Sequence, residues 1–256
     1  MNKTFIVHGL KRSGNHAVIN WIQAHDDFYF FNNIIPIAAI LKGEKKIPKP
    51  EDFNRWCQQK LLPKHLPFAS LALQVITRKR SLIASLEDHP LDIKPFISTP
   101  SNLKNILIIR DPYNLFSSRI RKASLVTNPA YSKTSGVALD RAVSLWKAHA
   151  REYVGETNIM ANKVGVYFNH WFSSKTYRKQ ISDQLGFPHT DRGYENVSNF
   201  GGGSSFDSTK FNGETSKMDI LNRQNKLNEH ENTLLTKITA DNELIDLYQK
   251  VQASSN

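Results

Sequence analysis

The stretch Phe5-Ile-Val-His-Gly-Leu-Lys-Arg-Ser-Gly-Asn-His16 decides how this chain is read. Its first half is a short apolar run rich in β-branched residues, the pattern of a strand covered on both faces. Its second half opens a helix, because Val18, Ile19 and Ile22 fall on one face of residues 15–24. Between them lies Gly9-Leu-Lys-Arg-Ser-Gly14, two glycines five apart enclosing Lys11 and Arg12. Glycines here let the backbone curl so that successive N–H groups point inward. Those amides and the positive end of the following helix dipole make an anion site, to which the two side chains add full charges.

The same alternation continues outward. Strand patterns cover residues 4–8, 71–76, 82–86, 106–109 and 164–168, and helical spacing covers 15–24, 51–61, 139–154, 171–185 and 231–251. This predicts an α/β, three-layer fold: a central, mainly parallel sheet flanked by helices, as one domain over residues 1–256. Residues 123–136, polar with a proline, read as an irregular, lid-like segment. Residues 195–215 contain Gly201-Gly-Gly-Ser-Ser205 but also Val197, Phe200, Phe206 and Phe211, so an ordered loop is expected rather than a linker.

The net charge of +11 and a pI near 9.6 call for an anionic partner, either nucleic acid or a small polyanion. Nucleic acid is the weaker reading, for there is no helix-turn-helix signal, zinc spacing or stacking-aromatic signature. The single cysteine, Cys57, excludes an intramolecular disulfide and has no His/Asp pattern beside it. No secretory signal and no apolar run of membrane-spanning length is seen, so a cytoplasmic protein is expected.

The glycine spacing matches a nucleoside-triphosphate P-loop, G-x-x-x-x-G-K-[ST], but Asn15 and His16 stand where that loop has its lysine and its Mg²⁺-binding hydroxyl. A degenerate P-loop kinase therefore stays only as an alternative, beside a basic nucleic-acid binder. Lys11-Arg-Ser-Gly-Asn-His16 resembles the 5′-phosphosulfate loop of sulfotransferases that use 3′-phosphoadenosine 5′-phosphosulfate (PAPS) and release the 3′,5′-bisphosphate PAP. That family shares the P-loop kinase architecture. The resemblance implies that Arg12 faces the bridging oxygen, with Lys11, Ser13, Gly14, Asn15 and His16 around the phosphosulfate. Cytosolic members often carry an adenine-contacting Trp next, and this chain has Ala17 there.

A second station is written in Asn105-Ile-Leu-Ile-Ile-Arg110-Asp-Pro-Tyr-Asn-Leu-Phe-Ser-Ser118. An arginine at the carboxyl end of a strand lies where open α/β sheets bind ligands, and its planar fork suits phosphate. A helix is expected from about Asn114, turning Ser118 toward the same anion. Arg110 and Ser118 resemble the family's 3′-phosphate motif. By the same resemblance Tyr167 or Phe168 would approach the adenine, and Gly203, Ser204 and Ser205 would occupy the loop that closes on the 3′-phosphate.

Transfer to a hydroxyl or amine needs a general base at a strand end beside the loop. The strand ending Glu87-Asp88-His89 fits; Glu87 is favoured, with Asp88 and His89 as alternatives and His16 as a donor to the sulfate. His65, in Lys64-His-Leu-Pro67, is read as a surface residue. No metal is implied. The acceptor is open among a glycan, a lipid headgroup and a small metabolite, with 25–50 and 123–136 as candidate walls. Phe28-Tyr-Phe-Phe31 reads equally as part of that wall or as a buried edge strand.

Overall fold

The structure, a computed structural model, describes residues 3–32, 81–92, 103–124, 129–199 and 203–255. The expected helix over 51–61 with Cys57, the strand over 71–76, and His65 lie outside the described residues. Among the described residues five strands form one sheet: β1 (Thr4–Gly9), β2 (Phe28–Phe31), β3 (Ser81–Glu87), β4 (Leu103–Ile109) and β5 (Lys163–Tyr167), in the order β2-β3-β1-β4-β5. All four pairings are parallel. Phe28–Phe31 is thus at the edge of the described sheet, with Phe28 in the core.

Alternation along the strands builds two cores. Phe5, Val7, Ile106 and Ile108 point to one face, beneath α1 (Asn15–Gln23). Trp171 of α4 (Phe168–Ser173) and Ile181 of α5 (Lys175–Leu185) complete that layer. On the other face Leu10 and Ile109 meet α2 (Pro112–Ser124), α3 (Pro129–Tyr153), α6 (Glu229–Thr239) and α7 (Asn242–Ser254), through Phe116, Trp146, Leu235 and Leu247. This is the expected three-layer α/β fold. Strands apolar on both faces need helices on both.

Local chemistry moved several boundaries. The span 171–185 is two helices, since Ser174 is extended (φ −122°) and its side chain caps α5 by accepting from Tyr177 N. The span 231–251 likewise divides where Asp241 caps α7. Helix α2 starts two residues early: Asp111 Oδ1 accepts from Asn114 N at 2.8 Å, and Pro112 takes the first helical position, where its missing N–H costs nothing. The lid expected over 123–136 is helical from Pro129, as the first turns of α3.

β1 lies at the centre of the sheet, with β3 on one side and β4 on the other. The chain therefore winds outward in both directions from β1, and the carboxyl ends of β1, β3 and β4 meet at a topological switch point. Open α/β sheets bind ligands there.

Candidate functional site

The loop after β1 is built by backbone conformation. Arg12 (φ 75°) and Gly14 (φ 87°) are both left-handed, and Ser13 N donates to Leu10 O at 3.1 Å. Gly14 is required twice over, because a Cβ there would lie 2.1 Å from the Phe168 ring. Gly9 has a different reason: its Cβ would meet Asn15 Oδ1 at 2.3 Å. The glycine spacing thus serves one turn and one close side-chain approach. Helix α1 begins with no side-chain cap, leaving its first amides to whatever the loop binds.

Loop and strand ends line a cavity of about 470 Å³. Of the sequence-predicted residues, Lys11, Arg12, Gly14, Asn15, His16, Glu87, Arg110, Ser118, Gly203, Ser204 and Ser205 reach its wall. Five cations stand there, Lys11, Arg12, Arg110, Lys122 and Arg223, against one carboxylate, Glu87, among the described residues. Phe168, Trp171, Phe172 and Tyr194 add aromatic side chains to the same wall.

Arg110, 5% exposed, ties the site together. Its Nη1 donates to Arg12 O (3.0 Å), its Nη2 to Ile220 O (2.6 Å), and its guanidinium lies 5.1 Å from the Phe168 ring centre. Trp146 Nε1, donating to Arg110 O at 2.9 Å, fixes the backbone beneath. Burial lowers the Arg110 pKa to about 10, with nearby Arg223 acting in the same direction and Asp111 opposing; the group stays charged at neutral pH. Ser118 sits on α2 with its hydroxyl donating to Asn114 O (2.8 Å).

Glu87 ends β3 opposite Gly9, its side chain 10% exposed. Asn15 Nδ2 donates to Glu87 Oε1 at 2.9 Å, and His16 Nε2 stands 3.6 Å from the same oxygen. Burial lowers the His16 pKa; the Glu87 carboxylate opposes that shift and Arg12 adds to it, so the ring is neutral at pH 7.

Three sequence expectations meet a different geometry. Asp88 is taken up by structure: both its oxygens receive Arg119 (2.8 and 3.2 Å), Oδ1 also accepts from Lys11 N (3.0 Å), and it does not reach the cavity wall. His89 is buried, and its carbonyl accepts from His149 Nε2 at 3.0 Å. Tyr167 points into the core of the opposite face and Phe168 reaches the cavity, because one residue further along reverses the side chain.

Ser204 Oγ serves its own loop, accepting from Phe206 N and Asp207 N, both at 3.2 Å. Arg12 Nη1 donates to Gly203 O at 3.0 Å and so draws this loop over the first.

Arg223 escaped the sequence reading. It is 2% exposed, pairs with Asp207 Oδ2 at 2.7 Å, donates to Ser204 Oγ at 3.3 Å, and lies 4.9 Å from the Phe206 ring centre. Its segment, a 3₁₀ stretch over Ile220–Lys226, carries no recognisable motif. Asn114 Oδ1, accepting from Arg223 N at 2.6 Å, fixes it to α2 across 109 residues, a link with no trace in local sequence.

The buried polar atoms without a hydrogen-bond partner among the described residues include Ser205 Oγ, Arg110 Nε and Arg223 Nη1 of the cavity wall, and Ser13 Oγ, which does not reach that wall. Orphaned donors grouped at a cationic cavity fit an anion-binding role. No cluster of three metal-ligating side chains occurs among the described residues, and no described helix is long and apolar enough to cross a membrane.

No protein-family model and no curated protein matches the chain. Among solved structures it is similar to the sulfotransferase domain from the Synechococcus PCC 7002 olefin synthase, at 16% identity and TM-score 0.48, covering 97% of this chain and 94% of that one. It is similar to mouse sulfotransferase SULT7A1 complexed with PAP, at 13% identity and TM-score 0.49, covering 97% and 88%. A third likeness is to the sulfotransferase domain from the curacin biosynthetic pathway, at 11% identity and TM-score 0.45, covering 93% and 98%.

Proposed function

We propose that this chain is a sulfotransferase that uses PAPS and acts on a hydroxyl or amine of a small-molecule or glycan acceptor. The observation that carries the reading is that two anion motifs, 98 residues apart at Arg12 and Arg110, line one cavity and share Phe168. A ligand with two anionic ends and an aromatic base suits that wall, and Asn15-His16 replaces what a Mg-nucleotide loop would carry.

PAPS, when bound, supplies a sulfuryl group activated by its anhydride link to phosphate. The loop amides and the Arg12 guanidinium stabilise negative charge that grows on the departing phosphate oxygen. Arg110 and Arg223 would hold the second phosphate, with Ser118 on the wall beside them, its hydroxyl proton given to Asn114 O; the ring of Phe168 would meet the purine. Glu87 takes the acceptor proton, since its neighbour Asp88 is neutralised by Arg119. His16, neutral, donates to the sulfate.

The test is thermal stabilisation by PAP against Mg-ATP. At a hundred times the dissociation constant, PAP should stabilise the fold by about 2.7 kcal/mol. No shift at millimolar PAP defeats the reading, and a shift with Mg-ATP alone reassigns the chain to the kinases. Glu87→Gln should keep the PAP shift and lower the yield of sulfated products by roughly a hundred- to ten-thousandfold in a mass-spectrometric screen of acceptor extracts incubated with PAPS.

A further inference from the structure

The Asn15 side chain has two amide hydrogens, and both are engaged. One goes to Leu10 O at 3.1 Å and the other to Glu87 Oε1 at 2.9 Å. No donor of this side chain is left for an anion in the loop; only its backbone N–H, at the start of α1, can serve one. The residue is 3% exposed, and its Oδ1 packs where a Cβ on residue 9 would be, so the arrangement exists because position 9 is glycine. Gly9 pairs directly with Glu87 across β1 and β3. Loop, strand end and carboxylate are therefore locked through one amide.

We infer that Asn15 is a positioning residue for Glu87, holding the carboxylate toward the acceptor side of the cavity rather than binding the nucleotide. The inference rests on the sulfotransferase reading, in which Glu87 is the base. The groups around this carboxylate are His16 and Arg12 from the loop and helix, with the Asp88–Arg119 pair on the next residue. Asn15 Nδ2 donates to Glu87 Oε1 at 2.9 Å, inside the 3.6 Å at which His16 Nε2 stands from the same oxygen. The amide fixes the direction of the carboxylate through a hydrogen bond and adds no full charge of its own.

The experiment uses the full chain with Asn15→Ala, and Asn15→Asp as a variant that keeps the volume and loses the donor. Affinity for PAP should stay within about threefold of the parent, while turnover falls by roughly ten- to a hundredfold, the scale of a misplaced reacting group. In a Glu87→Ala background Asn15→Ala should cause no further loss, because the two act as one unit. In the ligand-free chain the Asn15 side-chain amide resonances should move on Glu87→Ala.

Equal losses of PAP affinity and turnover would return Asn15 to the nucleotide. Additive losses, or amide resonances that do not move, would also overturn the inference. If the Ala variant does not fold, the Asp variant decides by the same affinity-against-turnover split. A chain that neither binds PAP nor sulfates fails the functional reading itself, and this inference with it; a chain that binds PAP and shows additive losses fails the inference alone.

Discussion

The loop over 10–14 and the segment over 203–223 bring cations to the same cavity, yet they are built in opposite ways. The first is framed locally: one strand, two left-handed residues and a helix start fall within about a dozen positions, and Arg110, Asp88 and Arg119 then fasten its backbone from outside. The second is assembled. Arg223 reaches its place through Asp207, Ser204 and the ring of Phe206 within the segment, and through Asn114 from α2. A local station is specified by residue types at fixed spacing. An assembled one is specified by partners that only the fold brings close, so altering it acts on stability and binding together.

Arg110 joins the two stations, so changing it should have the largest effect. Arg110→Ala removes bonds to Arg12 O and Ile220 O and should cost roughly 3–5 kcal/mol of stability, on the scale of broken buried charged networks, and more than a hundredfold in PAP affinity. Chemical denaturation and calorimetry would measure the two. A loss confined to affinity would mean that the stations stand independently.

Gly14→Ala attacks the local station alone. The left-handed backbone and the Phe168 clash together should cost about 3 kcal/mol, and PAP affinity should fall with it. Pairing it with Phe168→Leu should recover part of the stability, read as an upward shift of the melting midpoint, but none of the backbone strain. Full recovery would show the φ requirement to be unimportant.

Acid tests the sheet on which both stations rest. His8, on β1, has its pKa lowered from 6.5 to about 4, first by burial, with the Asn105 hydrogen bond opposing. Its folded pKa lies below its unfolded one, so the unfolded chain binds the extra proton between about pH 6.5 and 4, and stability falls as pH drops through that window. The loss should approach about 3 kcal/mol by pH 4, and His8→Gln should flatten that part of a stability–pH curve. An unchanged curve would place the acid sensitivity elsewhere.

Arg223→Lys is the mildest change and the sharpest probe of the assembled station. It keeps the charge beside Asp207 but loses the planar fork that also reaches Ser204, so PAP affinity should fall about tenfold and the melting midpoint should drop with it. Unchanged affinity would make Arg223 a structural cation only.

Much of this site was legible because its parts are written in short, ordered runs. The β1–loop–α1 unit and the Arg110-Asp-Pro run each carry their own turn chemistry, and both landed where spacing placed them. What misled was anything set by direction or by partners. Tyr167 and Phe168 are equivalent as aromatics in a list, but the end of β5 sends one to the core and the other to the cavity. Glu87, Asp88 and His89 are three ionisable neighbours, and only contacts with Asn15, Arg119 and His149 separate their roles.

The sequence alone, then, determined the parallel α/β class and a basic glycine loop at the first strand's end, since period and glycine spacing act over a few residues. The tertiary structure decided which side chains face the cavity: it turned Asn15 toward Glu87, clamped Asp88 on Arg119 and brought Arg223 to the wall. Those choices depend on burial and on hydrogen bonds between residues that share no local pattern, and such terms exist only after the chain has packed.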